Sequence, residues 1–347
     1  MSIPVCMRKA AGLGALPTEA LDSGASEAPL SEPLRRLQEH AAAARGAFAP
    51  ATERAVRSDI SAFRRWCVGM GAAFFPAAPA TVAAYVDATA PRYAVATLRR
   101  HLSSVARLHR AGGLDDPTKA EAVRLALRRA ARAKRTRPRQ AAAITERVLD
   151  RLFEAIPMAT LADLRDRALL LAGRDLLARR SELVSLDVEN VQPQDDGSAL
   201  VLIARSKTDQ EGQGVLLWLS PPTVEALFTW LEAAGITSGA LFRRVHKGGR
   251  SVGNRLSGDA VAAICKRRAR AAGLDPGGFS GHSCRVGMAH DLAAAGVELP
   301  ALMQAGRWRS PDMPARYIER VTAGRGAVAR YHRQQPPSAR TARPTPP

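Results

Sequence analysis

The sequence is poor in cysteine, in aromatic residues and in acidic residues relative to basic ones. Its four cysteines, Cys6, Cys67, Cys265 and Cys284, are widely separated and form no Cys-x-x-Cys pair. This pattern argues against a disulfide framework and indicates buried or incidental thiols in a reducing cytoplasm. No apolar run approaches the roughly 18 residues of a membrane span, and the N-terminus lacks the apolar core of a signal peptide. We therefore expect no membrane partner.

Motifs for metal and nucleotide binding are also missing. No cluster of His, Cys or Asp has the spacing of metal ligands, and there is no Gly-rich phosphate-binding loop of the Walker type. These absences favour a chemistry that needs neither a metal nor another cofactor.

What the sequence does have is an excess of positive charge. Among 347 residues there are 51 Lys and Arg against 32 Asp and Glu, a formal net charge of +19 with a pI near 11.1. Solubility does not require such an excess. It predicts a polyanionic partner, and nucleic acid is the first candidate; charge alone would also suit an acidic membrane surface, against which the missing apolar segments argue.

The chain divides into two expected domains between two tails. Residues 1–44 and 334–347 are rich in Ala, Gly, Ser or Pro, and we expect both to be disordered. Residues 45–135 predict an N-terminal bundle of about four helices. Its first helix shows an apolar stripe at Val56, Ile60, Phe63 and Cys67, a spacing that places these residues on one helix face.

The second half of this bundle is strongly basic. Residues 92–139 contain fourteen Lys and Arg but three acidic residues, a local net charge of +11. A solvated helix face normally mixes both signs, so this bias indicates DNA contact. The candidate DNA-binding residues are Arg99, Arg100, Arg132, Lys134 and Arg135.

Residues 136–333 predict a larger, mainly helical domain. Two short apolar runs, residues 199–204 and 215–219, flank a polar turn that contains glycine and predict one antiparallel β-hairpin. Everything after Pro221 is expected to be helical. The predicted fold class is mainly α, with a small antiparallel sheet in the second domain.

Residues able to carry chemistry are concentrated near the C-terminus. Gly281-His282-Ser283-Cys284 is followed directly by Arg285, and Ala305-Gly306-Arg307-Trp308 precedes Tyr317. A His-x-x-Arg pair alone is weak, because an arginine-rich chain produces it by chance. Together with the later tryptophan and tyrosine, however, the set resembles the tyrosine recombinase (phage integrase) family over the C-terminal half, most similarly its Cre-type branch, which has tryptophan where most members have a second histidine.

The resemblance implies two further residue positions, and the sequence fills both. An arginine followed three residues later by glutamate is supplied by Arg179 and Glu182, a spacing at which both share a helix face. Arg180 lacks that offset and is expected to be an exposed cation or a DNA contact. The family also has a lysine in the hairpin turn, and Lys207 occupies it.

The roles implied by the resemblance are those of metal-free DNA cleavage. Arg179, Arg285, His282 and Trp308 would bind the phosphate, Lys207 would protonate the 5′ leaving oxygen, and Tyr317 would be the nucleophile that forms a 3′-phosphotyrosyl link. The other tyrosines are weaker candidates: Tyr85 and Tyr93 lie in the N-terminal bundle, and Tyr331 has the wrong spacing from Trp308. Arg307 is expected to add a DNA contact.

The resemblance also implies an assembly. The expected partners are double-stranded DNA and three further copies of the chain, forming a two-domain clamp and a tetramer on two duplexes. A C-terminal helix would be exchanged between subunits, accessory proteins are possible partners, and the location would be the bacterial cytoplasm at the nucleoid. Two alternatives remain open at this point: a non-catalytic DNA-binding regulator with the same fold, and a topoisomerase-like enzyme that relaxes DNA as a monomer.

Overall fold

The computed structural model describes residues 31–134, 140–204 and 214–334. These residues form two compact units, one within residues 31–134 and the other within residues 140–334. Both units are mainly helical, as the sequence predicts. The expected domain boundary at residue 135 lies outside the described residues, as does the expected C-terminal tail of residues 334–347 except for Gln334, which ends a helix.

The first unit is a helical bundle. Its elements are α1 (Glu32–Ala43), α2 (Pro50–Gly69), α3 (Pro79–Thr89), α4 (Val95–Ala111), a 3₁₀ turn (Pro117–Lys119) and α5 (Glu121–Ala133). Helices α2 to α5 confirm the predicted bundle. The apolar stripe of α2 is buried, with Ile60, Phe63 and Cys67 almost fully inaccessible, because its spacing aligns these side chains on one face.

Helix α1 corrects the expectation of a disordered tail up to residue 44. Pro33 lies in its first turn, and Glu32 forms ion pairs with Arg35 and Arg36 on the exposed surface. The decisive contact is Leu37, which is 2% exposed and belongs to the core of the bundle. Leu34 also packs against that core, but two leucines in a polar segment gave too little periodicity to predict this helix, and its stability comes from tertiary packing.

The second unit combines helices with two small sheets. Its helices are α6 (Glu146–Glu154), α7 (Leu161–Asp175), α8 (Arg180–Ser185), α9 (Pro221–Ala233), α10 (Gly258–Ala271), α11 (Ser283–Ala294), α12 (Leu299–Gly306), α13 (Asp312–Ala323) and α14 (Ala327–Gln334), with 3₁₀ turns at Val188–Asn190 and Pro276–Gly278. Its strands are β1 (Val191–Pro193), β2 (Ala199–Ile203), β3 (Val215–Leu219), β4 (Arg243–Val245) and β5 (Val252–Arg255).

The predicted hairpin is confirmed as part of an antiparallel sheet in the order β1-β2-β3. Ala199 pairs with Leu219 and Ile203 with Val215, so the alternating side chains of β2 enter the core. Residues 205–213 of the connecting turn lie outside the described residues, and Lys207 is among them.

A second hairpin, β4 with β5, corrects the expectation that everything after Pro221 is helical. Its strands have three and four residues and are rich in arginine and glycine, so they show no alternating apolar pattern. The available indication was Gly248-Gly249 between them, because both glycines have positive φ angles of 101° and 70° that a tight turn requires.

Helix α7 is the centre of the second unit. Thr160 and Asp163 form a reciprocal capping box at its start, and Ala168, Leu169 and Leu170 are completely buried. The core extends to Trp230 on α9, whose indole Nε1 donates to the carbonyl of Leu241 at 2.9 Å. Helix α7 ends at Asp175, and the turn that follows it carries Arg179, the first candidate site residue.

Helix α11 is held close to the segment at residues 142–144. The amide of Ile144 donates to the Ser283 carbonyl at 3.0 Å, and a Cβ at Gly287 would overlap the Ile144 backbone. Glycine is therefore required for this approach. The contact sets the position of α11, which carries the His-x-x-Arg pair.

Candidate active site

Arg179 and Glu182 lie at the start of α8. Glu182 Oε1 accepts from Arg179 Nη1 at 2.6 Å, and Glu182 Oε2 accepts from the Arg179 backbone amide at 2.9 Å. Arg179 is the N-cap residue of α8, so the pair meets in a capping arrangement rather than on a shared helix face. The carboxylate, only 2% exposed, thereby fixes both the backbone and the guanidinium of Arg179.

Arg180 has a different environment from Arg179. Its Nη1 donates to Asp259 Oδ1 at 2.7 Å on the surface, and about half of its side chain is exposed. Of the two arginines, Arg179 alone contacts Glu182 through its guanidinium, and its assignment as the phosphate-binding arginine stays a prediction.

Arg285 projects from α11 into the same region and is 2% exposed. Its Nη1 donates to the carbonyl of Leu177 and its Nη2 to the carbonyl of Gly306. Burial, followed by the nearby charges of Arg179 and Arg307, lowers the pKa of Arg285 to about 10. The guanidinium still remains charged at neutral pH, so the region concentrates positive charge.

Trp308 and Tyr317 complete the cluster from the C-terminal helices. The guanidinium carbon of Arg285 lies 4.2 Å from the centroid of the Trp308 ring. The rings of Trp308 and Tyr317 meet edge to face, with centroids 5.9 Å apart. His290 Nε2 donates to the Tyr317 carbonyl at 2.7 Å and thereby anchors α13 to α11.

His282 precedes α11 as its N-cap residue and is exposed. Displacement of water by surrounding protein atoms, and then the charges of Arg285, Arg180 and Arg179, hold the pKa of His282 below its ordinary value. At neutral pH the free imidazole is therefore uncharged and can donate one hydrogen bond.

Arg307 differs from its expected role as a DNA contact. Its side chain is 10% exposed and turns inward, where Nη2 donates to Glu182 Oε2 at 2.7 Å and Nη1 to the Leu176 carbonyl at 3.1 Å. The inward turn follows from the left-handed backbone at the end of α12, with a φ of 57°. Nothing in the local sequence indicated it, because arginine is unusual in that conformation.

Glu182 is therefore shared by two arginines. Burial raises the pKa of Glu182, but the hydrogen bonds from Arg179 and the charge of Arg307 outweigh this effect, so its pKa lies below the ordinary value. The ionised carboxylate offsets one of the three positive charges of Arg179, Arg285 and Arg307. The cluster keeps a net positive charge suited to binding an anion.

The candidate DNA-binding residues belong to the first unit and have different environments. Arg99 and Arg132 are exposed. Arg100 donates from Nε and Nη2 to the buried carboxylate of Asp59 at 3.1 and 2.8 Å. Lys134 Nζ donates to the carbonyl of Tyr93 at 2.7 Å, so part of its hydrogen-bonding capacity is used internally. Arg135 lies outside the described residues.

The described residues lack the features of a metal site and of a membrane span. Within the described ranges, no group of three His, Cys, Asp or Glu side chains has a geometry that would hold a metal ion. In the same ranges, the helices lack the combination of length and apolar character that crossing a membrane requires.

Residues 142–323 match the model of the phage integrase family. The chain belongs to the phage integrase family. Two curated relatives resemble it over most of its length. The integrase/recombinase xerD homolog of Selenomonas ruminantium is 32% identical over 77% of this chain and 81% of that protein. The recombinase cre of Escherichia phage P1 is 31% identical over 82% of this chain and 89% of that protein.

Solved structures of integrases share the fold at lower identity. The lambda integrase(75-356) dimer bound to a COC' core site has a TM-score of 0.57 and 19% identity, over 82% of this chain and 94% of the other. The Tn1549 transposon integrase in complex with transposon right end DNA has a TM-score of 0.59 and 12% identity, over 85% of this chain and 99% of the other. For this member of the phage integrase family, they establish a common mainly helical architecture.

Proposed function

We propose that this member of the phage integrase family is a site-specific recombinase that cleaves and rejoins DNA through a 3′-phosphotyrosyl intermediate. The observation that carries the proposal is the convergence of Arg179, His282, Arg285 and Trp308 beside Tyr317. A cluster of two fixed cations and two neutral donors next to a tyrosine hydroxyl suits a phosphodiester. Membership in a family whose curated relatives are named recombinases supports the same activity.

Binding of the scissile phosphate falls to the arginines, His282 and Trp308. Attack on a phosphodiester builds negative charge on its non-bridging oxygens. Arg179 and Arg285 remain ionised and are held in place by Glu182 and by backbone carbonyls, so little reorganisation is needed during the reaction. His282 and the Trp308 indole N–H add neutral donors. Losing one such preorganised donor typically slows a reaction about a hundred- to a thousandfold.

Tyr317 supplies the nucleophile. Its Oη forms a bond to phosphorus while the bond from phosphorus to the 5′ oxygen breaks, and the phenolic proton passes to solvent water as the oxygen attacks. The 5′ oxygen gains a proton, and by family resemblance Lys207 delivers it. The phosphotyrosyl ester conserves the bond energy, so a second 5′ hydroxyl can attack it and restore free Tyr317 without ATP.

The strong positive charge supports DNA as the partner. The formal net charge is +19, and exposed arginines such as Arg99 and Arg132 lie in the first unit. Such residues neutralise phosphates and release counterions, so we expect binding to weaken steeply between about 50 and 200 mM salt.

We further propose that the two units form a clamp on the duplex. We also propose that accessory proteins assist at some sites, and that the enzyme acts on DNA at the bacterial nucleoid.

A surface near the C-terminus supports assembly into a tetramer. Val297, Leu299, Ala315 and Ile318 help to line a cavity of about 610 Å³ beside α13. The terminal helix α14 has no buried residue, and its Val328 and Tyr331 are 73% and 58% exposed on one face. We propose that this helix docks into the corresponding cavity of a neighbouring subunit, in a ring of four on two duplexes.

Covalent trapping tests the proposed function. The protein is incubated with nicked duplex fragments tiled from the DNA that flanks its gene, and adducts are resolved on a denaturing gel. We expect an adduct with the wild type and with Tyr331→Phe, which alters an exposed tyrosine, but not with Tyr317→Phe. Tight binding without an adduct would favour a non-catalytic regulator. Relaxation of supercoiled DNA by a monomer without preferred sites would favour a topoisomerase-like enzyme.

A further inference from the structure

We propose that Arg307 is a positioning residue for the reaction, which fixes the Glu182 carboxylate and thereby the orientation of Arg179. The inference depends on the proposed function, because Arg179 is taken there as a phosphate-binding residue. It assigns Arg307 a role inside the site instead of a contact with DNA.

The Glu182 carboxylate is shared between Arg179 and Arg307. Each oxygen of the carboxylate has its own partners: Oε1 accepts from the Arg179 guanidinium, and Oε2 accepts both from the Arg179 amide and from Arg307. Arg179 therefore contacts both oxygens by itself, and Arg307 adds a charged partner on Oε2 from a chain segment 125 residues away. This contact ties the carboxylate to the end of α12, so Glu182 cannot shift together with Arg179 as a mobile pair.

Arg307 also links the end of α12 to the turn that precedes α8. Arg307 Nη1 binds the carbonyl of Leu176, while Arg285 binds the adjacent carbonyl of Leu177. Leu177 has a left-handed φ of 40°, a conformation that leucine adopts only when its surroundings enforce it. Arg307 and Arg285 therefore both bind the backbone of the turn that leads into Arg179.

The backbone of Arg307 has an unusual conformation for an arginine. The chain turns at this residue with a φ of 57°, ending α12 through hydrogen bonds from Arg307 N to Gln304 O and from Trp308 N to Met303 O. Glycine is favoured at this helix-ending position because it has no Cβ. An arginine here carries local strain, and its two inward contacts are the interactions that compensate for it.

The left-handed backbone makes Arg307→Gly a clean test, since glycine removes the side chain and relieves the strain together. We expect single-turnover adduct formation to slow by about tenfold or more through misplacement of Arg179, while the Kd for DNA and its salt dependence stay unchanged. Arg307→Lys keeps the charge but has no planar fork to span both acceptors, so we expect its rate to lie between those of the wild type and of Arg307→Gly. The exposed Arg270→Ala is the control for loss of one positive charge.

A double-mutant cycle with Glu182→Gln provides the second readout. If Arg307 acts through Glu182, the double variant forms adducts no more slowly than the slower single variant. Multiplicative losses would overturn the proposal. So would an Arg307→Gly variant whose rate is unchanged, or whose main defect is weaker DNA binding with a smaller salt dependence.

The control reaction separates this proposal from the proposed function. A wild-type protein that forms no Tyr317 adduct on any fragment counts against the recombinase. In that case the contact between Arg307 and Glu182 is tested by urea unfolding of Arg307→Gly, Glu182→Gln and the double variant. If the shift of the unfolding midpoint in the double variant differs from the sum of the two single shifts, the contact is supported; if it equals the sum, the contact is refuted.

Discussion

Adding one methyl group at Gly306 should disable the candidate active site with little effect on DNA binding. Gly306 is the last residue of α12, and its carbonyl accepts a hydrogen bond from Arg285. A Cβ at this position would overlap the six-membered ring of the Trp308 indole, well inside the 3.0 Å that such atoms keep from other heavy atoms. Gly306→Ala therefore forces the indole away from its contacts with Arg285 and Tyr317.

The size of the effect follows from the geometry. To restore an acceptable contact, the Trp308 ring must move by about 1 Å, a displacement that can cost about a hundredfold in rate when reacting groups are involved. Overpacking costs about 1–3 kcal/mol, and the better helix propensity of alanine returns up to about 1 kcal/mol. We expect a net loss of about 1–2 kcal/mol in the free energy of unfolding, so the variant remains folded.

The assay combines single-turnover adduct formation on a nicked substrate with the Kd for the same DNA and a urea unfolding curve. Gly324→Ala, near the end of α13, is the matched control. Gly324 has a φ of −67°, and a Cβ there would lie 3.8 Å from its nearest neighbours, so the change is expected to be neutral or to stabilise by about 0.4–1 kcal/mol. Wild-type adduct formation by Gly306→Ala would refute the idea that a fixed indole is needed.

Three further predictions concern protonation, DNA binding and assembly. Because the pKa of His282 is lowered in the folded protein, the unfolded chain binds this proton at a higher pH than the folded chain does. The free energy of unfolding should therefore fall as the pH drops below about 6.5, and should fall less in His282→Gln, as measured by urea midpoints at each pH. Arg132→Ala should reduce the slope of log Kd against log salt by about 0.9 if Arg132 contacts one phosphate, as measured by titration at several salt concentrations. Val328→Asp should leave binding to a single site intact but abolish higher assemblies, as measured by light scattering with DNA.

Each of these outcomes has a control in the same measurement. A His282→Gln variant with the wild-type pH dependence would mean that His101 and His109, whose pKa values burial also lowers, account for the whole effect. An unchanged salt slope for Arg132→Ala would remove that residue from the DNA interface. Tetramers formed by Val328→Asp would contradict docking through α14.

The sequence by itself determined the family, the helical class and the order of the candidate site residues. Arg179 was chosen over Arg180 from a three-residue offset to Glu182, and the structure pairs the guanidinium of Arg179 with Glu182. The apolar stripe of α2 was predicted from its helical spacing, and the strands β2 and β3 from two short apolar runs on either side of a polar turn that contains glycine. Such features depend on local spacing, which the sequence states directly.

Tertiary structure alone decided the features that depend on backbone handedness and on contacts distant in sequence. The inward turn of Arg307 follows from its positive φ and from acceptors at Leu176 and Glu182, more than 120 residues earlier in the chain. Helix α1 and the second hairpin owe their stability to packing that their own sequences hardly indicate. The chemistry of a site can thus be predicted from residue types in order, whereas the residues that hold it in place emerge only when the chain is folded.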